Sequence, residues 1–324
     1  MKHYNWAILG CGSIANQLAQ AMQKEGRNIY SVANRTYNNA VDFARQYGIS
    51  KVYENIQDLF TDDAVDIVYI STPHNTHIHY LKEALQHNKH VLCEKSITLN
   101  ISELEEALQI AAQHHVILAE AMTIYHMPLY KKLHEHVQAK TLGDLKMIQM
   151  NFGCYKDYNP NNRFFNPALA GGALLDIGVY ALSFVRWFLS DKPDNVLSQV
   201  KFAPSGVDEQ AGILLMNSAG EMATIALTLH AKQPKRGMIA FDKGYIEIYE
   251  YPRANKALIT YTEDNRQELL EYGKIEDALR YEIRDMEQAV SGNKNEMYLN
   301  YTTDVMSIMT ELRKTWGLSY PEEL

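Results

Sequence analysis

The chain has 324 residues, of which 46% are apolar and 22% are charged. This length suffices for two domains with separate cores, and the composition is that of a folded protein rather than a disordered or fibrous one. The 31 basic and 39 acidic residues give a net charge of −8. This charge argues against nucleic acid as a partner, because binding to a phosphate backbone depends on basic patches.

The chain contains three widely spaced cysteines, Cys11, Cys93 and Cys154. An odd number without a CxxC pair predicts neither a disulfide framework nor a zinc site. Only four consecutive apolar residues precede Gly10, fewer than a secretory signal needs. The most apolar long stretch, 173–189, contains Asp176 and Arg186, which argues against a membrane span. We therefore expect a cytoplasmic protein without a membrane partner.

Residues 1–122 alternate short apolar runs, which we expect to be strands, with amphipathic segments, which we expect to be helices. The predicted strands are Trp6–Leu9, Asn28–Ala33, Asp66–Ser71, His90–Cys93 and Val116–Ala119. The predicted helices are Ile14–Lys24, Asn38–Tyr47, Asn75–Gln86 and Ser102–Gln113. Continuous apolar strands separated by helices indicate a parallel sheet covered on both faces. With right-handed crossovers, this is an α/β domain of the doubly wound Rossmann type.

Residues 123–324 follow a different, α+β pattern. The predicted helices are Pro128–Gln138, Gly172–Leu189, Ile275–Val290 and Thr302–Thr315. Leu145–Phe152 alternates with period two, and the strand-like runs between Val196 and Tyr272 include Ala211–Met216, Met222–Leu229 and Tyr245–Tyr249. Alternation predicts an open, mainly antiparallel sheet. We expect two domains, 1–122 and 123–324, with a C-terminal helix able to pack back on the first.

The segment Gly10–Ala15, GCGSIA, is a GxGxxA motif between a predicted strand and a predicted helix. The first glycine permits a tight turn, the second admits a pyrophosphate close to the backbone, and the helix N-terminus supplies hydrogen-bond donors. A lone GxG is weak, because tight turns need glycines anyway. The strand before it and the helix after it nevertheless predict dinucleotide binding by Gly10, Gly12, Ser13 and Ile14.

The end of the second predicted strand is where an NAD-specific site usually carries an acid for the ribose 2′-hydroxyl. The sequence at 33–36 is Ala-Asn-Arg-Thr, without a carboxylate. A carboxylate would repel a 2′-phosphate, whereas arginine binds it bidentately. We therefore expect Asn34 and Arg35 to contact the cofactor and favour NADP over NAD. Alternatively, Arg35 stacks on the adenine ring, a contact that both NAD and NADP allow.

The segment 71–77 follows a predicted strand, where a doubly wound sheet opens its crevice. The residues expected to line the cofactor groove there are Ser71, Thr72, Pro73, Asn75 and His77. Ser71 and Thr72 could also cap the following helix. The spacing His74-x-x-His77-x-His79 suggests a metal, but no carboxylate or thiolate accompanies it and a helix start explains it as well. We expect no metal.

Glu94 and Lys95 end the strand His90–Cys93 at the same edge of the predicted sheet, and both are expected to contact the cofactor. A lysine at this edge would face the nicotinamide end of the groove. Its ammonium can hydrogen-bond a substrate oxygen or lower the pKa of a neighbouring acid or base. An exposed lysine paired with Glu94 is the simpler interpretation of these two residue types by themselves.

The segment 171–180, GGALLDIGVY, is the second motif. Its two glycines allow the backbone to approach a ligand closely at the start of a helix. Asp176 and Tyr180 are four positions apart and so share one face of that helix. A carboxylate and a phenol in an apolar helix are unfavourable unless they are paired or functional. A buried tyrosine whose hydroxyl bonds Asp176 explains them equally well.

Four segments, in this order, resemble the glucose–fructose oxidoreductase/inositol dehydrogenase/rhizopine-catabolism (Gfo/Idh/MocA) family. They are Gly10–Ala15, Thr72-Pro73-x-x-x-His77, Lys89–Lys95 and Gly171–Tyr180. Tyr180, where many members have histidine, most resembles the dihydrodiol dehydrogenase and NADP-xylose dehydrogenase branch. The resemblance implies a dinucleotide-binding first domain and a second domain for substrate binding. The free face of the second domain's sheet often mediates dimerisation, so we expect a homodimer or larger homo-oligomer.

The resemblance also implies hydride transfer between C4 of the nicotinamide and a hydroxyl or carbonyl carbon of a sugar, polyol or cyclic diol. Two positions depart from the family pattern. Ser96 stands where the family commonly has proline, often after a cis bond, so we expect the Lys95 loop to differ in shape. Tyr125 stands where arginine is frequent, near the substrate in relatives, which leaves the substrate's identity open.

We expect Tyr180 to be the general acid/base on the reacting oxygen. Its ordinary pKa of about 10 is too high for neutral pH, and we assign to Lys95 the cation that favours the phenolate and polarises the carbonyl. Asp176 would orient Lys95 or the substrate hydroxyl. The further substrate contacts implied by family position are His126, Tyr158 and Arg163. Loop packing explains Tyr158 and Arg163 equally well.

Two other functions use the same fold. A non-catalytic sensor would bind the dinucleotide to control a partner, but it would not need Lys95, Asp176 and Tyr180 together. An enzyme that keeps its cofactor bound could oxidise a substrate transiently to cleave or racemise it. Such an enzyme would show no net change in nicotinamide absorbance during turnover.

Overall fold

The computed structural model describes residues 3–324. The chain divides into two compact units. The first extends through Ala121 and also includes Leu279–Leu299, and the second comprises Met122–Ala278 and Asn300–Leu324. The segment 279–299 lies in the range 123–324 expected for the second domain, from which a C-terminal helix was expected to be able to pack back on the first. This segment belongs to the first unit.

Residues 3–121, the described N-terminal part of the first unit, contain six strands and five helices. The strands are β1 (Trp6–Leu9), β2 (Ile29–Ala33), β3 (Lys51–Tyr53), β4 (Ile67–Ile70), β5 (His90–Glu94) and β6 (Leu118–Ala121). The helices are α1 (Ser13–Lys24), α2 (Tyr37–Tyr47), α3 (Ile56–Thr61), α4 (His77–Gln86) and α5 (Ile101–Gln113). All strands pair in parallel in the order β3-β2-β1-β4-β5-β6. This order confirms the predicted doubly wound Rossmann fold.

The strands form because their side chains are buried on both faces of the sheet. Every residue of β1 and β4 is buried, as expected for a parallel sheet between helix layers. β3 and α3 were not predicted. β3 is only three residues long and half-buried over two of them, so it lacks a continuous apolar run that would mark a strand.

The second unit contains most of the remaining elements. Its helices are α6 (Thr123–His126), α7 (Pro128–Gln138) and α8 (Val179–Phe188). Its strands are β7 (Leu145–Gly153), β8 (Asn195–Phe202), β9 (Asp208–Met216), β10 (Met222–Thr228), β11 (Arg236–Phe241), β12 (Gly244–Tyr249), β13 (Lys256–Tyr261) and β14 (Gln267–Glu271). They form one open sheet in the order β14-β13-β12-β11-β7-β10-β9-β8.

Pairing in this sheet is antiparallel except between β10 and β7, which run parallel. The prediction of an open, mainly antiparallel sheet is therefore confirmed. Helix α8 packs against β7 and β10, and strands such as β12 alternate buried and exposed residues. The most exposed of the large apolar side chains on these strands are Leu197 on β8, Tyr249 on β12 and Leu269 on β14.

Two long helices follow the sheet in sequence, α9 (Ala278–Gly292) and α10 (Leu299–Trp316). α9 places Leu279, Ile283 and Met286 in the hydrophobic core of the first unit, which also contains Trp6 and Ile8. Packing of these apolar side chains explains why a segment so late in the chain joins the N-terminal unit.

The predicted helix Gly172–Leu189 has a different start from the one expected. A π-helical turn spans Leu174–Gly178 and only then does α8 begin. Single π turns in helices occur frequently at functional sites. The wider segment Pro167–Phe188 is long and apolar enough to cross a membrane, but 78% of its most apolar window is buried inside the protein, as in a core helix.

Candidate active site

The loop after β1 is shaped by Gly10. Its amide donates a hydrogen bond to the carbonyl of Ala33 on β2 at 2.9 Å, and its φ of +100° lies in the region that favours glycine. A Cβ at this position would lie 2.8 Å from the carbonyl oxygen of Ser71. Glycine is therefore required for the loop to pass this close to the chain following β4.

The N-terminus of α1 is open for a ligand. Gly12 precedes the helix, and no side chain caps the first turn. Nothing lies within 4 Å of the place where a Cβ of Gly12 would be, and Ser13 is exposed while Ile14 is half-buried. The first amides of a helix lack partners within the helix and favour an anion. This loop fits the pyrophosphate of a dinucleotide.

Ser71 and Thr72 do not cap the following helix, so the capping half of that expectation is wrong. The hydroxyl of Ser71 lies 3.2 Å from the carbonyl oxygen of Gly10, and Thr72 accepts a hydrogen bond from the hydroxyl of Thr76 at 2.8 Å. Pro73 precedes the 3₁₀ turn His74–Thr76 without a side-chain cap. Ser71 instead fixes the glycine loop to the chain after β4.

The predicted 2′-phosphate position lies at the end of β2. Asn34 donates to the carbonyl of Thr36 at 3.0 Å, which shapes the turn. The Arg35 side chain is exposed, and it makes no ion pair or hydrogen bond within the part of the chain that the structure describes. Its guanidinium is therefore available to an incoming anion.

Two histidines hold the loop that carries Lys95. His74 Nε2 lies 3.0 Å from the carbonyl oxygen of Lys95, and His77 Nδ1 lies 3.0 Å from that of Ser96. The other ring nitrogen of His77 lies 2.9 Å from the carbonyl oxygen of Thr72. The Lys95–Ser96 peptide is cis, the bond geometry that the resemblance implies for proline here, so the expected difference in the shape of the Lys95 loop is not found at this bond.

His77 is fully buried. Burial lowers the pKa of its imidazole, against the opposing effect of the Thr72 and Ser96 carbonyls. Because both ring nitrogens face backbone oxygens, His77 connects the loop after β4 to the loop after β5. His79 packs on Tyr80 instead. Within residues 3–324, no three His, Cys, Asp or Glu side chains are arranged to hold a metal ion.

Glu94 is buried rather than exposed beside Lys95. The hydroxyl of Tyr69, on the neighbouring strand β4, donates to a Glu94 carboxylate oxygen at 2.5 Å. Burial, together with the Glu94 charge, raises the pKa of Tyr69 well above its ordinary value. Lys95 itself is half-buried, which does not fit the alternative of an exposed lysine paired with Glu94.

In the second unit, Asp176 pairs with Arg163. Arg163 Nη2 lies 3.3 Å from Asp176 Oδ1, with the arginine 59% exposed and the aspartate 14% exposed. The Arg163 guanidinium also lies over the Phe164 ring at 4.4 Å, and so does the Lys156 ammonium. The structure thus brings together two residues that the sequence singled out for separate reasons.

Tyr180, at the start of α8, is half-buried, with its ring centroid 6.2 Å from that of Phe152. Among the residues proposed from family position, His126 is almost fully buried on α6. Tyr158 is 39% exposed and packs edge-on against Phe165 at 5.2 Å. Tyr125 is buried and stacks on Trp187.

Comparison with known proteins identifies the chain. Residues 4–122 match the model of the oxidoreductase family with an NAD-binding Rossmann fold, and residues 130–247 match the Gfo/Idh/MocA C-terminal domain. The chain belongs to the Gfo/Idh/MocA oxidoreductase family. The resemblance stated from the sequence motifs is therefore confirmed.

Similar proteins span the whole chain. A trans-1,2-dihydrobenzene-1,2-diol dehydrogenase from Xenopus tropicalis is 27% identical, covering 98% of this chain and 99% of its own length. The scyllo-inositol 2-dehydrogenase (NADP(+)) IolU of Bacillus subtilis is 28% identical, covering 98% of each. In fold, the chain resembles KijD10, a 3-ketoreductase from Actinomadura kijaniata, with a TM-score of 0.87, 21% identity and coverage of 97% and 98%.

Members of the Gfo/Idh/MocA family with these names are enzymes, which supports catalysis over the alternative of a non-catalytic sensor. The chain is an NAD(P)-dependent oxidoreductase that acts on CH–OH or carbonyl groups. In this Gfo/Idh/MocA member, β1, β4 and β5 are neighbours in a parallel sheet. The Gly10 loop, the Ser71 turn and Lys95 therefore follow strands that end at one edge.

Two residues that hydrogen-bond to segments of the candidate site were not predicted from the sequence. Tyr69 was not singled out, although a lone hydroxyl in the apolar run Ile67–Ile70 is a signal for a buried hydrogen bond. Asp208 was also missed. It begins β9, is fully buried, and accepts a hydrogen bond from the amide of Leu174. The acidic pair Asp208–Glu209 directly after a buried valine marks the position, but its partner is 34 residues away.

Proposed function

We propose that this enzyme is an NADP-dependent dehydrogenase or reductase whose substrates are sugars, polyols or cyclic diols. Tyr180 is the general acid/base, Lys95 is the cation beside the reacting oxygen, and Asp176 orients Lys95 or the substrate hydroxyl. The observation that carries the proposal is the common sheet edge of the uncapped α1 N-terminus, Ser71 and Lys95.

The cofactor would lie on the first unit. Gly10, Gly12, Ser13 and Ile14 would hold the pyrophosphate at the α1 N-terminus. The residues that would line the rest of the groove are Asn34, Arg35, Ser71, Thr72, Pro73, Asn75, His77, Glu94 and Lys95. Of these, His77 acts through the backbone of the loops that it joins. The nicotinamide, when bound, supplies or accepts the hydride.

NADP is favoured over NAD because the end of β2 carries a cation and no carboxylate. Arg35 is exposed and has no partner in residues 3–324, so its planar guanidinium can bind a 2′-phosphate bidentately. The name of the relative from Bacillus subtilis includes NADP(+), which is consistent with this choice.

The proton transfer is assigned to Tyr180. A tyrosine hydroxyl has an ordinary pKa of about 10, so a neighbouring ammonium is needed for the phenolate to form near neutral pH. Lys95 supplies this charge and donates a hydrogen bond to the reacting oxygen as it becomes an alkoxide or carbonyl. In oxidation Tyr180 accepts the hydroxyl proton, and in reduction it returns a proton to the oxygen.

The substrate class follows from the relatives. A dihydrobenzene diol and scyllo-inositol both carry secondary hydroxyls on a six-membered carbon ring. We propose that this enzyme acts on such a ring hydroxyl or on the corresponding ketone. His126, Tyr158 and Arg163 would contribute contacts to the substrate, with the exposed Arg163 anchored by Asp176.

A cytoplasmic homodimer or larger homo-oligomer completes the proposal. The apolar side chains of Leu197, Tyr249 and Leu269 are each more than half exposed. Burial of such side chains between two copies would remove apolar surface from water. Three unpaired cysteines agree with a reducing compartment.

The proposal is tested by nicotinamide absorbance with NADP and a set of cyclic polyols, sugars and their ketones. Replacing Tyr180 with Phe should lower kcat by at least roughly a hundredfold, while NADPH binding, followed by its fluorescence, stays near normal. Tyr272→Phe, at a partly exposed tyrosine with no assigned role, is the matched control. Full turnover by the Tyr180 variant would refute the assignment. Turnover without a change in absorbance would indicate transient oxidation instead.

A further inference from the structure

Asp208, the first residue of β9, is a buried carboxylate in the second unit. It is 0% exposed. One oxygen, Oδ2, accepts a hydrogen bond from the amide of Leu174 at 2.6 Å. Oδ1 has no hydrogen bond of standard geometry within residues 3–324, although the amides of Ala173 and of Asp208 itself also act on the carboxylate. Burying a carboxylate oxygen without a partner is unfavourable. Packing does not explain its presence here.

The carboxylate lies directly beside the glycine pair that opens the second motif. Gly172 has a φ of +132°, and a Cβ there would lie 2.1 Å from Asp208 Oδ1. Any larger residue would displace the carboxylate as well as strain the backbone. Gly172 therefore provides the space in which Asp208 reaches the first amide of the π-helical turn Leu174–Gly178.

The end of the chain holds the other side of this turn. The hydroxyl of Tyr320 donates to the carbonyl oxygen of Gly171 at 2.7 Å. Two hydrogen-bonded contacts, at 2.6 and 2.7 Å, join the guanidinium of Arg313 on α10 to the carboxylate of Glu323. We refer to residues 320–323 as the C-terminal strap. Tyr320 and Arg313 are both buried, so the strap is a fixed part of the second unit.

We propose that Asp208, assisted by the C-terminal strap, is a positioning residue for the segment that carries Asp176 and Tyr180. Its negative charge at the start of this segment holds the Leu174 amide, and so fixes where the next two turns of helix lie. This role rests on the proposed function of Tyr180. Negative charge is favourable at the start of a helix, because the first amide groups of the helix point toward such a charge and the positive end of the helix dipole lies there.

The surroundings of Asp208 make this charge sensitive to pH. Burial raises the pKa of Asp208 to about 7, against the lowering effects of the amides of Leu174 and of Asp208 itself, the Arg313 charge and the Ala173 amide. The titratable groups that act on it from neighbouring elements are Arg313 of α10 and Tyr320 of the strap. Burial raises the pKa of Tyr320 well above its ordinary value, and the Arg313 pKa is raised beside Glu323. Both therefore keep their protons at neutral pH.

The adjacent acidic residue has other partners. Glu209 pairs with Lys201 at 2.5 Å and with His230 at 2.9 Å. Its side chain points away from Asp208, since neighbours in a strand alternate between faces. The charge at the helix start is therefore supplied by Asp208 and not by the acidic pair as a whole.

The test is Asp208→Asn in the full-length enzyme, with kcat, KM and urea unfolding measured at pH 6 and pH 8. Asparagine keeps the size and can still accept from Leu174, but lacks the charge. We expect kcat at pH 8 to fall by up to roughly a hundredfold, the effect of a small misplacement of catalytic groups. The KM for NADPH should not change. Resistance to urea at pH 8 should not fall, because a neutral group replaces a buried charge.

Wild-type kcat in Asp208→Asn would overturn the proposal. A loss of kcat matched by a loss of stability at pH 8 would also overturn it, because a merely structural residue would show that result. Glu221→Gln is the control. It removes a hydrogen-bonded carboxylate at the opposite end of the β9–β10 hairpin, and it should leave kcat unchanged.

A second variant keeps the proposal testable if Asp208→Asn does not fold. Tyr320→Phe removes only the hydroxyl that bonds Gly171 and should lower kcat severalfold with an unchanged KM for NADPH. Wild-type kcat in Tyr320→Phe would then overturn the proposal. Failure of the underlying function has a different signature, since Tyr180→Phe would then remain active.

Discussion

His77 Nδ1 lies 3.0 Å from the carbonyl oxygen of Ser96, on a ring whose Nε2 lies 2.9 Å from the carbonyl oxygen of Thr72. A single buried imidazole thus joins the loop after β4 to the loop after β5. The first loop contributes to the proposed cofactor groove and the second carries Lys95. The position of the lysine therefore depends on a residue that has no direct part in the chemistry.

Replacing His77 with Ala should lower kcat by roughly tenfold or more, because misplacing a catalytic group by about 1 Å can have such an effect. Steady-state kinetics with saturating NADP would measure it. His79→Ala is the matched control, because His79 lies on the same helix, is exposed and packs only on Tyr80 among the ring contacts of the described chain. Equal kcat values for the two variants would contradict the role of His77 in positioning the Lys95 loop.

Cofactor choice is predicted to depend on Arg35. Changing Arg35 to Leu should raise the KM for NADPH by about tenfold or more, the effect of losing a charge-assisted contact, and should leave the KM for NADH nearly unchanged. Arg45→Leu provides the control, because Arg45 is an exposed arginine on α2 paired with Asp42. A parallel rise in both KM values would show that Arg35 contacts the adenine and not a 2′-phosphate.

Much of the fold could be predicted from local patterns. The apolar run Trp6–Leu9 is a strand with the predicted bounds. A strand buried on both faces is a continuous apolar run, which can be recognised without knowing the neighbouring strands. The glycine loop after β1 and the helix after that loop could also be predicted from neighbouring residues alone. By contrast, β3 is too short for any periodicity, and the start of α8 depends on a π turn that the 3.6-residue pattern does not show.

The site was less accessible to prediction where its contacts cross the chain. Lys95, Asp176 and Tyr180 could be singled out as unusual residues at marked positions. Two other contacts depend on how distant segments pack. The hydrogen bond from Tyr69 to Glu94 depends on the strand order. The hydrogen bond from Leu174 to Asp208 depends on the packing of β9 beside the glycine pair. One sequence carries no record of such pairings, since each partner by itself is an ordinary polar residue.

Asp208 is predicted to link stability to pH. Its pKa is raised to about 7 in the folded enzyme, whereas in the unfolded chain it is about 3.9. Between these values the folded state binds the extra proton, so this carboxyl makes the free energy of unfolding fall as pH rises from about 4 to 7. The difference is on the order of 4 kcal/mol from the shift in pKa.

Urea unfolding of the wild type and Asp208→Asn at several pH values would measure this link. The stability of the variant relative to the wild type should increase between pH 5 and pH 8. The comparison is necessary because His77, whose pKa is lowered by burial against the effect of its backbone carbonyl contacts, makes the free energy of unfolding rise with pH up to about 6.5, the ordinary pKa of histidine. Parallel pH profiles of the two proteins would contradict a raised pKa at Asp208.

The last prediction concerns how α9 is held in the first unit. Glu287 accepts hydrogen bonds from Trp6 Nε1 at 3.1 Å and from Arg27 Nε at 2.7 Å, joining β1 and the chain before β2 to a helix 281 positions beyond Trp6. The Arg27 side chain is only 15% exposed, and its pKa is raised chiefly by the hydrogen bonds to Glu287. Glu287→Gln would leave this largely desolvated guanidinium with Glu25, at 3.3 Å, as its remaining ion-pair partner in residues 3–324.

We expect Glu287→Gln to lower the free energy of unfolding by about 1.5–3 kcal/mol, the range for hydrogen bonds to charged groups. Asp42→Asn is the control, because its ion pair with Arg45 is more than 70% exposed on both sides and should contribute less than about 1 kcal/mol. Urea titrations at one pH would compare the midpoints. If both variants unfold at the wild-type midpoint, the apolar side chains Leu279, Ile283 and Met286 hold α9 without help from the ion pair.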